Sequence, residues 1–212
     1  MKLGFIGTGN MASAIMGGII SKGVIPADEI IGADLFAPGR ERVKEKFGIH
    51  VTADNNEVVE KADVVLLSVK PQFYADVISG IKDKIRPDQI VITIAPGKTL
   101  SWLAEQFGKD VKIVRCMPNT PAMVGEGMTA ACPNEHMTEE EIEYVKTLLS
   151  SFSLVEIVPE KLMDTVTAVS GSSPAYVFMF IEAMADAAVL DGMPRAQAYK
   201  FAAQAVLGSA KM

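Results

Sequence analysis

The chain has 212 residues, of which 49% are hydrophobic and 22% charged, and its 20 basic and 26 acidic side chains leave a formal net charge of −6. A chain this rich in apolar residues can form a large core, which excludes general disorder. A negative chain without a run of Lys and Arg also lacks the cationic surface that nucleic acids and anionic membranes require, so the composition favours small-molecule chemistry.

Short apolar runs alternate with helix-like segments over the first part of the chain. Strands are predicted at residues 2–7, 29–34, 64–69, 90–94 and 111–117. Helices are predicted at residues 10–22, 40–47, 55–61, 74–84 and 101–107. Two helix starts have the spacing of a capping box, Asp54 with Glu57 and Thr138 with Glu141. Strands that are apolar on both faces must be covered on both faces, so the alternation predicts a doubly wound α/β layer around a parallel sheet.

The pattern becomes helical toward the end of the chain. A helix and a strand are predicted at residues 138–150 and 154–158, and further helices at 174–190 and 194–212. We therefore expect a sheet domain at residues 1–160 and an all-helical domain at residues 161–212. The last predicted helix has no stop signal, so we expect the helical domain to be truncated.

A glycine-rich turn, Gly7-Thr8-Gly9-Asn10-Met11-Ala12, directly follows the first predicted strand and forms a GxGxxA motif. Gly7 permits a tight turn, Gly9 lets the backbone approach a pyrophosphate, and Ala12 lets the helix pack closely on the strand. The helix N-terminus supplies N–H donors and a partial positive charge, which suit a diphosphate. The motif therefore predicts dinucleotide binding in a Rossmann-like domain, with an ordinary glycine-rich turn as the alternative.

Asp34 ends the second predicted strand, where a carboxylate commonly accepts hydrogen bonds from the adenosine ribose. A carboxylate at this place repels a ribose phosphate and favours NADH. The nearby Arg40 and Arg42 would offset this repulsion and hold the 2′-phosphate of NADPH. These residues alone therefore do not decide between NADH and NADPH. A loop cap without any ligand is the alternative for Asp34.

Three further segments follow predicted strands at the edge where ligands of open α/β sheets bind. They are Ser68-Val69-Lys70-Pro71, Ala95-Pro96-Gly97 and Met117-Pro118-Asn119-Thr120-Pro121. We interpret Lys70 as a cation beside a nicotinamide and an anionic substrate. A solvated lysine at the start of a helix is the alternative.

The helical part contains Ser170-Gly171-Ser172-Ser173 directly before a predicted helix with Pro174 in its first turn. Small polar residues leave backbone N–H groups open to a ligand, and a small carboxylate fits such a site. Simple N-capping of the helix is the alternative. The aromatic residues Tyr176, Phe178 and Phe180 on this helix are predicted to lie in the core.

No metal site and no membrane anchor are expected. Cys116 and Cys132 lack CxxC spacing and the only histidines are His50 and His136, so both cysteines are predicted to be buried thiols in a reducing compartment. The apolar N-terminal run is too interrupted for a secretion signal. Acidic residues break the most apolar stretch, residues 175–190, below the roughly 18 uninterrupted apolar residues of a membrane helix, so we expect a cytoplasmic protein.

Four segments in order along the whole chain together resemble pyrroline-5-carboxylate reductase. They are residues 5–11 (FIGTGNM), 69–71 (VKP), 115–121 (RCMPNTP) and 171–176 (GSSPAY). The resemblance implies an N-terminal Rossmann domain that binds NADPH or NADH, and a helical domain that pairs with its twin in a homodimer or a higher homo-oligomer. It implies the last step of proline biosynthesis, in which hydride from NAD(P)H reduces the cyclic imine 1-pyrroline-5-carboxylate to L-proline.

The resemblance also assigns site residues. The pyrophosphate would bind to Ile6, Gly7, Thr8, Gly9, Asn10 and Met11, and the adenosine ribose region to Asp34 and Asn55. The nicotinamide half would lie against Ser68, Val69, Lys70, Pro71, Ala95, Pro96, Gly97, Pro118 and Asn119. Ser172 and Ser173 would hold the substrate carboxylate, and Lys70 would favour the anionic substrate. An iminium accepts hydride better than a neutral imine, so the substrate nitrogen is expected to be protonated, although no residue is an obvious general acid.

The chain departs from the family pattern at three places. Asp34 stands where many NADP-preferring members have a small or amide residue, so the resemblance indicates NADPH while Asp34 favours NADH. Pro96 replaces what is commonly an alanine. The family's Ser-Pro-Gly-Gly-Thr stretch, which lines the substrate site, does not occur in the 212 residues, so we expect an incomplete, weakly active chain.

Two other functions are weighed against this one. A 3-hydroxyacid dehydrogenase shares GxGxxA but uses a lysine near a Gly-rich helix, and here Lys200 lies within a predicted helix without that setting. A non-catalytic dinucleotide sensor would bind the cofactor without any link to an imine. Cofactor binding that tightens with proline or a proline analogue would favour the enzyme.

Overall fold

Eight strands form one sheet in the computed structural model, which describes residues 2–212. The strands are β1 (Leu3–Ile6), β2 (Ile30–Ala33), β3 (His50–Thr52), β4 (Val64–Leu67), β5 (Ile90–Thr93), β6 (Lys112–Pro118), β7 (Gly127–Pro133) and β8 (Ser153–Ile157). Their order across the sheet is β3-β2-β1-β4-β5-β6-β7-β8. Neighbours from β3 to β6 run parallel, whereas β7 is antiparallel to β6 and parallel to β8.

Helices connect these strands and cover both faces of the sheet. They are α1 (Asn10–Ser21), α2 (Ala37–Phe47), α3 (Asn55–Lys61), α4 (Tyr74–Ile81), α5 (Leu100–Phe107) and α6 (Glu139–Leu149). One core contains side chains of α1, α2 and α6, such as Ile15 and Leu148, while the other contains side chains of α3, α4 and α5, such as Val58 and Leu103. The predicted doubly wound α/β fold is confirmed, because two separate cores lie on opposite faces of one sheet.

The predicted elements lack β3 and β7. β3 has three residues that are exposed or half-buried, so it has no apolar run that would indicate a strand. β7 is built largely from small residues, whose strand preference is weak. The expected parallel sheet is wrong at β7, because only a short segment with a 3₁₀ turn, Thr120–Val124, joins β6 to β7, and a parallel crossover needs a dozen or more residues.

One of the two predicted capping boxes is present. The Thr138 hydroxyl accepts a hydrogen bond from the Glu141 N–H, and the Glu141 carboxylate accepts one from the Thr138 N–H at 3.0 Å. At the start of α3, the Asp54 carboxylate accepts from the N–H of Asn56 at 2.9 Å, while Glu57 pairs with a lysine one turn further along. The second predicted box is therefore wrong.

The chain divides into two compact units, one that ends at Thr167 and one from Ala168 to Met212. The first includes the sheet and a short helix α7 (Met163–Val166). The second begins in a π-helical turn and contains two long helices, α8 (Ser173–Leu190) and α9 (Arg195–Lys211). The domain limits expected from the sequence, 1–160 and 161–212, stay a prediction.

The second unit buries few side chains of its own. Small residues, Ala185, Ala198 and Ala202, fill the core of the α8 and α9 pair. The predicted core position of the α8 aromatics is wrong within the single chain, because Tyr176 is 58%, Phe178 67% and Phe180 59% exposed. A short helix pair cannot cover so much apolar surface by itself, so this face is available to a partner.

Candidate functional site

The two glycines of the GxGxxA turn serve different purposes. Gly7 has φ +98°, and a Cβ there would lie 2.8 Å from the backbone carbon of Ser68, so the position requires glycine. Gly9 stands at the N-cap of α1 in an extended conformation, and a Cβ there would meet nothing within 4 Å. Open space therefore faces the Gly9 backbone, where a ligand can approach closely.

The N-terminus of α1 is open to an anion. No side chain caps this helix, and its first turn contains no acidic residue. Ala12 is 1% exposed and packs in the core beneath the turn, as the motif requires. The first N–H groups of a 12-residue helix and its partial positive charge thus fit the pyrophosphate of a dinucleotide.

The Asp34 carboxylate holds this turn in place. One carboxylate oxygen accepts hydrogen bonds from the backbone N–H of Thr8 at 2.8 Å and from the Thr8 hydroxyl at 3.0 Å. The other oxygen accepts from the N–H of Phe36 at 3.0 Å. Thr8 is fully buried, whereas Asp34 is half-buried and lines a cleft. The loop-cap role of Asp34 is therefore present, and its position also leaves it accessible to a ribose.

Two guanidinium groups reach the same turn. The Arg40 side chain donates a hydrogen bond to the backbone oxygen of Asp34 at 2.5 Å. The Arg42 side chain donates to the backbone oxygen of Thr8 at 3.4 Å. The region beside the carboxylate thus contains two cations as well as one anion.

The end of β4 forms the facing wall. The Ser68 hydroxyl donates hydrogen bonds to the backbone oxygens of Gly7 at 2.7 Å and Ile6 at 3.2 Å, which joins β4 to the glycine turn. Lys70 is exposed at the start of the 3₁₀ turn Pro71–Phe73. No ion pair occupies its ammonium group within the described part of the chain, so its charge remains available to an anionic ligand.

These elements enclose a cleft of about 750 Å³ at the carboxyl ends of β1, β4 and β5. Its lining includes most of the residues assigned to the cofactor from the sequence, namely Gly7, Gly9, Asn10, Met11, Asp34, Ser68, Val69, Lys70, Pro71, Ala95, Pro96 and Pro118. Five others do not line it: Ile6, Thr8, Asn55, Gly97 and Asn119. The structure thus brings the GxGxxA turn and the ends of three neighbouring strands to one cavity.

The residues outside the lining have visible structural roles. Ile6 and Thr8 are buried beneath the turn, and Asn55 is the first residue of α3. The Asn119 side-chain oxygen accepts a hydrogen bond from the N–H of Met128 at 2.8 Å, which links the ends of β6 and β7. These residues can contact a ligand through backbone atoms, or can act indirectly by supporting the residues that line the cleft.

Three lining residues, Phe73, Ile94 and Met123, lie outside the segments predicted from the sequence to face the cleft. Ile94 directly follows β5, so its position at the carboxyl end of a strand was a signal that could have found it. Phe73 is 52% and Met123 63% exposed, and both lie in 3₁₀ turns that no sequence motif marks. Exposed apolar side chains beside a cleft suit contact with a flat ring.

A buried tyrosine forms the base between β4 and β5. The Tyr74 hydroxyl donates to the backbone oxygen of Leu67 at 2.6 Å and accepts from the Thr93 hydroxyl at 3.0 Å. Burial raises the pKa of Tyr74 to about 12. The phenol therefore stays neutral at physiological pH and supports the two strands rather than supplying a proton.

Within residues 2–212, no cluster of three or more His, Cys, Asp or Glu side chains is placed to bind a metal ion. Cys116 and Cys132 are free and buried, as predicted. Burial raises the pKa of the Cys116 thiol and of the Cys132 thiol, so neither is a reactive thiolate.

In the second unit, Ser172 and Ser173 lie half-buried at the start of α8. Ser172 stands at the N-cap position, but its side chain makes no capping hydrogen bond, and the Ser173 hydroxyl donates to the backbone oxygen of Ser170 at 3.4 Å. The N-capping alternative is therefore not observed for Ser172.

Two protein-family models match the chain. Residues 160–212 match "Pyrroline-5-carboxylate reductase dimerisation", and residues 2–97 match "NADP oxidoreductase coenzyme F420-dependent". The helical stretch Glu160–Leu190 is long and apolar enough to cross a membrane, judged by length and mean hydropathy alone. The dimerisation match gives its exposed apolar side chains a different explanation, contact between subunits.

Curated relatives and solved structures agree with these matches. The pyrroline-5-carboxylate reductase of Escherichia coli is 49% identical over 214 residues, which cover 100% of this chain and 78% of the relative. That of Methanosarcina acetivorans is 42% identical over 211 residues, with the same two coverages. The solved reductase of Coxiella burnetii superposes with a TM-score of 0.94 at 36% identity, covering 100% of this chain and 78% of that one.

A solved Plasmodium falciparum structure, described as pyrroline carboxylate reductase with NADP bound, superposes with a TM-score of 0.91 at 32% identity over the whole of this chain and 78% of that one. Identity at this level over the whole of this chain, together with the α/β fold and the glycine turn, does not support a 3-hydroxyacid dehydrogenase. The chain belongs to the pyrroline-5-carboxylate reductase family.

Proposed function

We propose that the cleft at the carboxyl ends of β1, β4 and β5 binds the reduced nicotinamide cofactor of this enzyme. The chain is a NAD(P)H-dependent pyrroline-5-carboxylate reductase, which reduces 1-pyrroline-5-carboxylate to L-proline in proline biosynthesis. The observation that carries the proposed site is the open space over the Gly9 backbone, at the uncapped N-terminus of α1 and inside the cleft.

The cofactor would extend from the glycine turn along the strand ends. The backbone N–H groups of the turn hold the pyrophosphate, and Asp34 with Asn55 contacts the adenosine ribose region. The nicotinamide half lies against residues 68–71, 95–97, Pro118 and Asn119. When bound, the reduced nicotinamide supplies the hydride that the C=N carbon of the imine receives. The chain's own residues position the two reactants rather than forming covalent bonds to them.

For the cofactor preference, we propose NADH as the better donor and NADPH as a second one. The Asp34 carboxylate is fixed beside the turn by Thr8 and Phe36, so it cannot swing away from a 2′-phosphate. Arg40 and Arg42 lie close enough to offset part of this repulsion. Binding of NADP to the Plasmodium relative is consistent with the second donor.

For the substrate, we propose that Ser172 and Ser173 hold the carboxylate through hydroxyl and backbone N–H donors. Lys70 adds an unpaired positive charge at the cleft, which attracts an anionic imine. The substrate nitrogen is protonated before hydride arrives, because an iminium is the better acceptor.

For assembly and location, we propose a homodimer in the cytoplasm. The match to a dimerisation model over residues 160–212 and the exposed aromatics of α8 support self-association. The two free, buried thiols agree with a reducing compartment.

The assay is oxidation of NADH or NADPH followed by loss of absorbance, with and without pyrroline-5-carboxylate. Oxidation that requires the imine supports the proposed function, and formation of proline identifies the product. Cofactor binding that neither proline nor the imine changes would instead indicate a binding protein without turnover.

A further inference from the structure

A carboxylate outside the cleft joins three elements. One oxygen of Glu160 accepts a hydrogen bond from the Arg115 guanidinium at 2.8 Å and another from the backbone N–H of Leu100 at 2.7 Å. The Arg115 side chain is 9% exposed and that of Glu160 32%. Arg115 belongs to β6, Leu100 begins α5, and Glu160 is the first residue of the segment that matches the dimerisation model.

The contact to Leu100 holds one end of a cleft loop. The segment between β5 and α5 includes Ala95 and Pro96, which line the cleft. At its beginning, Ala95 is 4% exposed and therefore fixed by packing. At its end, the Thr99 hydroxyl accepts from the N–H of Trp102 at 3.1 Å, while Glu160 accepts from Leu100. The loop is thus held at both ends, and its far end depends on a residue about 60 positions along the chain.

Stability alone does not explain this ion pair. Removing an almost buried guanidinium from water costs free energy that its partner roughly restores, so an apolar pair of similar size would stabilise the fold as well. An apolar side chain cannot accept the Leu100 hydrogen bond. A carboxylate at this position is therefore distinguished by its ability to hold the Leu100 N–H in place. Arg115 in turn fixes the orientation of that carboxylate.

We infer that Glu160 is a positioning residue for the cofactor loop. Through Leu100 it sets where Ala95 and Pro96 stand in the cleft, and Arg115 holds Glu160 in the required orientation. This inference rests on the proposed contact between residues 95–97 and the nicotinamide half. It assigns to the start of the dimerisation segment a part in cofactor binding within its own chain.

Trp102, the only tryptophan, provides a direct probe of this loop because it lies in the first turn of α5. Titrating NADH against Trp102 fluorescence gives a dissociation constant without any need for turnover. Glu160→Ala is expected to weaken NADH binding by about two- to tenfold, the value of one hydrogen bond, and to raise the KM for the cofactor equally. Glu160→Gln keeps an acceptor oxygen and is expected to recover part of this loss.

A double variant distinguishes an effect on the position of the cofactor loop from an effect on the stability of the fold. Arg115→Met with Glu160→Leu replaces the ion pair by apolar side chains, so thermal stability is expected to recover relative to Glu160→Ala. Cofactor binding is expected to stay weakened, because the Leu100 N–H still lacks its acceptor. Recovery of both quantities together would show a purely structural pair and overturn the inference.

Glu141 offers a matched control. It also pairs with a cation, Lys112, and accepts a backbone hydrogen bond at a helix start, that of Thr138. Its partners Lys112 and Thr138 do not line the cleft or belong to the loop between β5 and α5, so Glu141→Ala should lower stability without changing the NADH dissociation constant. An equal weakening of NADH binding by Glu141→Ala would count against a specific role of Glu160.

A variant in the glycine turn distinguishes failure of the inference from failure of the proposed site. If Gly9→Val abolishes NADH binding while Glu160→Ala leaves it unchanged, the cofactor site stands and the role of Glu160 is wrong. If Gly9→Val leaves binding unchanged, the proposed cofactor site is wrong and the inference fails with it.

Discussion

The Asp34 carboxylate accepts both the backbone N–H and the hydroxyl of Thr8, at 2.8 and 3.0 Å. The acid at the end of β2 therefore fixes the glycine turn at the end of β1, in addition to facing the cleft. Shape and charge of the proposed cofactor site thus depend on the same side chain. A substitution at this position changes both, and the two effects can be measured separately.

Asp34→Asn removes the negative charge and keeps an oxygen that accepts from Thr8, although its amide nitrogen cannot accept from the N–H of Phe36. The ratio of kcat/KM for NADPH over NADH is expected to rise by about tenfold, because repulsion of the 2′-phosphate disappears while Arg40 and Arg42 remain. Asp28→Asn is the control, since it changes the net charge equally in an exposed turn before β2. An unchanged ratio in Asp34→Asn would mean that the carboxylate does not face the phosphate.

The two glycines of the turn are expected to respond in different ways. Gly7→Ala should destabilise the protein by about 2–4 kcal/mol, because φ +98° and the backbone of Ser68 exclude a side chain. Gly9→Val should cost less, about 1 kcal/mol, because its Cβ meets no protein atom within 4 Å and only the poorer N-cap residue destabilises α1. NADH binding should nevertheless be lost in Gly9→Val. Normal NADH binding by this variant would mean that the pyrophosphate does not bind at the glycine turn.

Tyr74 should make stability depend on alkaline pH. Its pKa is raised by burial from 10.0 to about 12, so the folded state keeps a proton that the unfolded chain loses. This contribution is fully present below pH 10 and is lost between pH 10 and about 12, at about 1.4 kcal/mol per pH unit. Urea unfolding at several alkaline pH values should show the slope in the native protein and a smaller one in Tyr74→Phe. Equal slopes in the two proteins would mean that ionisation of Tyr74 does not cause the pH dependence.

The joint variant Ser172→Ala with Ser173→Ala tests the carboxylate site. The KM for the imine should rise about tenfold, while the KM for the cofactor stays constant, because the lost donors contact only the substrate. Ser150→Ala, at the exposed end of α6, serves as the matched control. If the imine KM does not change, the serines do not bind the carboxylate, and Lys70→Gln becomes the variant to measure.

The exposed aromatic face of α8 should mediate self-association. Phe178→Glu is expected to convert the assembly to a smaller species in sedimentation velocity, because it buries a charge in an apolar contact. Phe36→Glu, an equally exposed aromatic in the first unit, should leave the sedimentation coefficient unchanged. A dimer that persists in Phe178→Glu would place the contact elsewhere.

Local patterns were enough to predict most of the fold. The apolar runs of β1, β2, β4 and β5 and the helical spacing between them identify the α/β layer, because strands buried on both faces are apolar throughout. β7 lacks such a run, and its antiparallel direction follows from the short connection after β6. The exposed α8 aromatics were misassigned to the core, since hydrophobicity does not tell a side chain buried within one chain from one that meets another.

The sequence by itself determined the glycine turn, the strand ends and the family, because these depend on residue types at fixed spacing along the chain. The tertiary structure decided which of these residues share one cleft, how Thr8 and Asp34 hold each other, and that Glu160 accepts from Leu100. Such contacts join residues 26 and 60 positions apart. Their formation depends on the packing of the sheet and its helices, which no local spacing encodes.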